Sequence, residues 1–229
     1  MPIIAGIAIL LLLAIVFGPQ WWVGHVMRQH GSDRPDFPGT GGELARHLLD
    51  EAGLQAVTVE TTDRGDHYDP VAQAVRLLPQ HHDGRSVAAV AVAAHEVSHA
   101  VQHARGERAF ALRCHLARNL VWIDRVATVV LLLAPVMFVV VKLPILFALQ
   151  VLAVVVLLGM HIVVHLVTLP VEFDASFAKA LPVLAHGRYL GPADLPAARS
   201  VLRAAAWTYV AAALATLLNV ARWVRILRP

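Results

Sequence analysis

Long runs without a charged side chain limit this chain more than any other feature. Residues 3–23 carry no Asp, Glu, Lys or Arg, and from 126 to 171 the only charge is Lys142. About twenty apolar residues in a helix rising 1.5 Å each cover a hydrocarbon core of roughly 30 Å. The first run therefore predicts a membrane-spanning helix closed by Trp21 and Trp22 as interfacial anchors, and not a cleaved signal peptide, because no basic residue precedes it. The second run breaks at Leu143-Pro144, which predicts a helical hairpin with spans near 120–141 and 143–169. An Ala-rich stretch, 204–220, predicts a fourth span or a buried helix whose small residues allow close helix approach.

Composition supports a lipid-facing chain. Of 229 residues 58% are hydrophobic and 15% charged, against about 45–50% and 25% in ordinary soluble domains. A net charge of +3 is too small to propose nucleic acid as a partner, and basic residues beside membrane spans account for it. The single cysteine, Cys114, excludes an intrachain disulfide and any multi-thiolate metal site. Arg and Lys are denser toward the polar stretch than toward Lys142 and Arg222, Arg225 and Arg228, so positive-inside reasoning places that stretch in the cytoplasm and both termini outside.

The polar stretch, 24–118, has periodicities of its own. Thr40 with Glu43 predicts a capping box opening a helix that Gly53 ends. Residues 57–60 and 74–78 read as strands flanking the turn-rich 63–70, and predict a two-stranded hairpin; were the second strand an exposed edge, an extended substrate could pair with it. Residues 86–104 read as one uninterrupted Ala/Val-rich helix before Gly106. The expected organisation is a first span at 1–23, a polar domain at 24–118, a helical hairpin at 119–169, a connecting helical segment at 170–203, and a last helix with a basic tail at 204–229.

Within the 86–104 helix, His95-Glu96-Val97-Ser98-His99 has the H-E-x-x-H pattern. Residues four apart share a helix face, so both imidazoles can hold one zinc ion, and Glu96 can act as general base toward a water that zinc has acidified. Few acids are available as a third ligand. Glu172, in Leu169-Pro170-Val171-Glu172-Phe173-Asp174-Ala175-Ser176, lies where the third span meets water, a costly place for an unpaired carboxylate. Asp174 then suits a supporting role, accepting the free N–H of a ligand imidazole.

Other residues are secondary candidates. His103 continues the row of His95 and His99 by another four and is expected behind the ligands or at an interface, not on the metal. His67 or Tyr68 could donate a hydrogen bond to a developing oxyanion, or simply hold the turn, and Arg203 and Tyr209 are similar candidates. His161 and His165 read as packing or hydrogen-bonding groups, and His81-His82 as a solvated turn.

The chain resembles the YugP-like neutral zinc metallopeptidases, a bacterial family of integral membrane proteins, nearly end to end. The likeness rests on Asp66-His67-Tyr68-Asp69-Pro70, on residues 93–103 around the paired histidines, on residues 168–176, and on residues 202–213. It implies a zinc-dependent peptidase with one catalytic ion, His95, His99 and Glu172 as ligands and Glu96 as base. More distantly the chain is similar to HtpX-type and CAAX prenyl-protease gluzincins, whose Glu-x-x-Ala-Asp motif supplies the third ligand. Ser176 stands here in place of that Asp, which divides the supporting role between Asp174 and Ser176.

The sequence thus predicts a mainly α integral membrane bundle of about four spans with a small α+β zincin-like catalytic domain, multi-pass in the bacterial inner membrane with its site on the cytoplasmic side. Its expected partners are the lipid bilayer and a peptide or membrane-protein substrate, with a second copy or a regulatory membrane partner left open. Alternatives are a zinc-stabilised scaffold without catalysis, and a zinc hydrolase of lipid acyl or amide bonds.

Overall fold

The computed structural model describes residues 2–136, 144–208 and 210. Helix α1 covers Pro2–Gln29 and α2 Gly41–Glu51. Strands β1 (Thr58–Thr61), β2 (His67–Asp69) and β3 (Ala74–Leu77) follow, then a single turn α3 (Pro79–His82) and the long α4 (Val87–Ala104). Helices α5 (Arg108–Val136) and α6 (Pro144–Phe173) pack on each other. A π-helical segment, Asp174–Ala180, leads into α7 (Leu181–His186), and α8 runs over 195–208.

Local chemistry sets several of these boundaries. Thr40 Oγ1 accepts from the Glu43 amide at 3.2 Å while the Glu43 carboxylate accepts from the Thr40 amide at 2.7 Å, the reciprocal cap expected. Gly53 follows the helix with φ +73°, a left-handed conformation that favours glycine. Ser86 caps α4 through the Ala89 amide. Gly41 lets α2 approach α3 and α4: a Cβ there would fall 2.2 Å from the His81 carbonyl oxygen.

The sheet differs from the expected hairpin. Its order is β1-β3-β2, with β1 parallel to β3 (Glu60 opposite Arg76) and β2 antiparallel to β3 (Tyr68 opposite Val75). The reason lies in Asp69, whose Oδ1 accepts from the Val71 and Ala72 amides at 2.9 and 3.0 Å. That side-chain turn folds the preceding tripeptide back as a strand, where the sequence read only a loop. The 74–78 strand is consequently central, and β2 is an edge. His81, expected in a solvated turn, is buried, with Nδ1 2.7 Å from Asp66 Oδ2.

Among the described residues no helix is long and apolar enough to cross a membrane. This corrects the four-span integral membrane bundle; a mainly helical chain with a small sheet is what remains. The ends of the long helices are used elsewhere: α1 sends Val26 into the core, α5 opens with Arg108, Arg113 and Arg118, and α6 ends on the buried Glu172. Residues 137–143 and most of 204–220 lie outside the described residues. Large apolar side chains are nevertheless exposed on α5 and α6, among them Trp122, Val126, Leu152 and Val156.

The core brings Leu49, Val75, Leu77, Val97, Phe110 and Leu202 together around α4, whose residues from 87 to 100 are all buried. Leu49→Ala is expected to destabilise the fold by about 2–5 kcal/mol in denaturant unfolding. Asp69 offers a second measurement. Its carboxyl sits below the ordinary 3.8 because the Ala72 amide bonds it, outweighing partial burial, with the Val71 amide and Arg76 adding to the effect. A depressed carboxyl contributes stability above about pH 4 that is lost as pH falls through the folded value. Acid unfolding of Asp69→Asn should therefore show a smaller loss of stability between pH 5 and pH 2 than the parent chain shows.

Candidate active site

Three buried side chains converge: His95 and His99 from α4, and Glu172 from the last turn of α6. Glu172 Oε2 lies 3.1 Å from His95 Nε2 and 3.4 Å from His99 Nε2. For metal–ligand bonds of about 2.0–2.1 Å, the edge of a tetrahedron is about 3.3–3.4 Å, so both separations from Glu172 to an imidazole are close to the spacing that a zinc ion sets, and all three donor atoms lie within 4.8 Å of one another. Among the described residues these three form the group able to hold a metal ion.

Each imidazole is oriented by its other nitrogen. His99 Nδ1 meets Gln102 Oε1 at 2.8 Å and the Arg113 Nη1 donor only at 3.4 Å; because an amide oxygen only accepts, the shorter contact assigns the proton to Nδ1 and leaves Nε2 facing Glu172. His95 Nδ1 lies 3.1 Å from Ser176 Oγ, whose own proton goes to the Leu202 carbonyl at 3.2 Å; His95 therefore donates as well. Gln102 Nε2 donates to the Val171 carbonyl at 3.0 Å and to Asp174 Oδ2 at 2.7 Å. Asp174, expected against a ligand imidazole, thus stands one link further out, paired with Lys179. Supporting residues of this type hold ligand rings in one orientation.

The π-helical segment makes the Ser176 contact available. Pro170 lies inside α6, and just past Phe173 the helix widens, the Leu181 amide donating to the Ser176 carbonyl five residues back. Short π segments of this type recur at functional sites. Here one places Glu172 and Ser176 on the same imidazole from opposite ends.

Electrostatics follows from burial. Desolvation pushes the Glu172 carboxyl up, but the charge of His99, the hydrogen bonds from both imidazoles and Arg113 hold it well below the usual carboxylate range. His95 is pulled down by burial yet ends above its ordinary value, because Glu172 bonds it and Glu96 adds negative charge. Both shifts describe a carboxylate committed to its charged form.

Glu96 lines a cavity of about 240 Å³ beside the three donors, as do Asp66, His67, Tyr68 and Arg113. His67 Nδ1 donates to the Gly65 carbonyl at 2.8 Å. Tyr68 hydroxyl and His103 Nδ1 are 2.9 Å apart, so His103 lies beside β2 and away from the donor trio. Burial pushes the Tyr68 hydroxyl up, keeping its proton on. Arg203 is exposed and His165 half-buried; Tyr209 and the His161 side chain lie outside the described residues. A larger groove of about 520 Å³ runs along the other face of α4, past Ala94, Val97 and Val101.

Sequence reading did not single out Gln102 and Arg113. Gln102 was within reach, as a polar residue three after His99 on the same side of the helix. Arg113 shares a helix face with Phe110, whose ring lies 5.9 Å from that of His99, but nothing local marks its phase.

Two imidazoles one helical turn apart and a carboxylate from a later helix are the donor set of the HExxH class of metallopeptidases. Comparison with known proteins carries this to a family: the one described as "Putative neutral zinc metallopeptidase" matches residues 5–228, and the chain belongs to it. A protein of Bacillus subtilis (strain 168) named "Putative membrane protease YugP" is 35% identical over 218 residues, 93% of this chain and 92% of that protein. No solved structure matches.

Removing a ring support should weaken metal binding without removing a donor. Gln102→Leu is expected to lower zinc affinity by about 10–100-fold, measured by competition with a chromophoric chelator.

Proposed function

We propose that the chain is a zinc-dependent endopeptidase working at a membrane, with one zinc ion held by His95, His99 and Glu172 and with Glu96 as general base. The observation that carries this reading is the convergence of those three donors beside a cavity that Glu96 also lines. A zinc ion bound there supplies Lewis acidity and acidifies water toward neutral pH. Glu96 takes the proton from the attacking water and delivers it to the leaving amine. His67 donates Nδ1–H to the Gly65 carbonyl, so it is as the imidazolium, with a second proton on Nε2, that it would donate to the developing oxyanion. Tyr68 holds its proton beside His103 and supports that edge of the cavity. An extended substrate segment would pair along the open side of β2, which carries both residues.

Several observations favour membrane-associated or misfolded proteins as substrates. Exposed Trp122, Val126 and Val129 on α5 and Leu152, Val156 and Leu166 on α6 form an apolar surface of the sort that meets lipid or unfolded chains. The relative from Bacillus subtilis is itself named a membrane protease. Exposed Arg105, Arg108 and Arg118 suit the anionic cytoplasmic face of a bacterial membrane. The scaffold reading needs another side chain to close the metal's coordination, and His103, its candidate, is turned to Tyr68.

Glu96→Gln is expected to keep bound zinc, by elemental analysis, and to lose at least about 10²-fold in cleavage of a quenched fluorescent peptide and of an unfolded membrane protein. Full activity in that variant would overturn the mechanism. His67→Ala should lower kcat by about 10²–10³-fold with a smaller effect on KM.

A further inference from the structure

The two oxygens of Glu172 face different partners. Oε2 stands between the imidazoles, 3.1 and 3.4 Å from their Nε2 atoms. Oε1 is buried, accepts no directed hydrogen bond, and lies 3.0 Å from Nη1 of Arg113 as an ion pair. Arg113 reaches this point from α5, another part of the chain from both metal-facing helices. Phe110, one turn earlier and 3% exposed, braces it: the guanidinium carbon is 5.8 Å from the ring centroid, and the same ring packs against His99 and His103.

A carboxylate can ligate a cation through one oxygen or through both, and nothing intrinsic to glutamate selects the first. A guanidinium on one oxygen selects it, because that oxygen is then turned toward a fixed positive charge. We infer that Arg113 is a positioning residue that makes Glu172 a one-oxygen ligand, directing Oε2 to the metal and withholding Oε1. The inference rests on the reading that His95, His99 and Glu172 hold zinc. Its consequence is a coordination position kept open for solvent and substrate, where a two-oxygen carboxylate would crowd it. The sequence gives no local sign of this arrangement, since Arg113 and Glu172 are far apart in the chain.

The test uses the full chain loaded with zinc for X-ray absorption and with cobalt(II) for electronic absorption, comparing the parent with Arg113→Lys, Arg113→Ala and Arg113→Met. The methionine variant retains an unbranched stem against Phe110 should the alanine variant not fold. The parent and Arg113→Lys should show one short oxygen contributed by glutamate and the intense visible bands of four-coordinate cobalt. Arg113→Ala and Arg113→Met should bind the same amount of metal, gain one oxygen neighbour and lose most of that band intensity, with cleavage down by about 10–100-fold. Unchanged spectra in the neutral variants, with metal bound, would overturn the role of Arg113 and leave the zinc reading standing. Failure of the parent chain to bind either metal would overturn both.

Discussion

A single buried carboxylate governs this structure. Glu172 is 1% exposed, and an isolated charge so far from water would cost many kcal/mol. It is tolerated because two imidazoles and a guanidinium surround it. Those groups arrive from two places in the chain: the imidazoles from α4, the guanidinium from α5. Packing of α4 against the end of α6 and the first half of α5 is thus inseparable from neutralising Glu172. Removing one partner from such a group leaves a buried charge uncompensated, which is costlier than losing the same contact at a surface.

Around that centre the chain adds layers that are polar without being wet. Gln102 ties His99 to the Val171 carbonyl and to Asp174, and Ser176 ties His95 to the Leu202 carbonyl. The first pair binds α4 to α6 and the π segment; the second brings in α8. A helix such as α4, Ala- and Val-rich and buried throughout residues 87–100, has few ways to fix its rotation about its own axis. These side-chain links supply that restraint, so the same bonds that settle the register of α4 also settle which ring nitrogen faces Glu172. Networks satisfied at every member stiffen a buried site in this way.

Much of this was legible in the sequence wherever the signal is local. The Thr40–Glu43 cap, the limits of α4 and the paired histidines all follow from spacing within a few residues, whereas the acid at residue 172 was singled out by the scarcity of acids and its place at the end of an apolar run. What escaped depends on partners distant in the chain. Asp69 looked like part of a turn, and it is, but the turn it makes creates β2 and turns the expected hairpin into a mixed sheet. His81 looked solvated because nothing near it in sequence announces Asp66. Gln102 could have been noticed from its helix phase; Arg113 could not. The apolar runs do become long helices, yet their ends are drawn into the core and the group of buried polar side chains, and among the described residues none is long and apolar enough to cross a membrane. Hydropathy measures the preference of a stretch for apolar surroundings and does not see that its last turn carries a buried carboxylate facing two imidazoles.

The π-helical segment after Glu172 carries a consequence for how this chain tolerates insertion and deletion. A π turn is an α-helix that has absorbed an additional residue, and each residue advances a helix by about 100°. From Leu181 onward every side chain is therefore phased by that extra unit. A chain shortened by one residue between 174 and 180 could still form an unbroken helix of the ordinary kind, with nothing locally unfavourable about it. It would, however, present Leu184 and the groups beyond it on the wrong azimuth to α4, so the loss would be felt two turns away and not where the residue was removed.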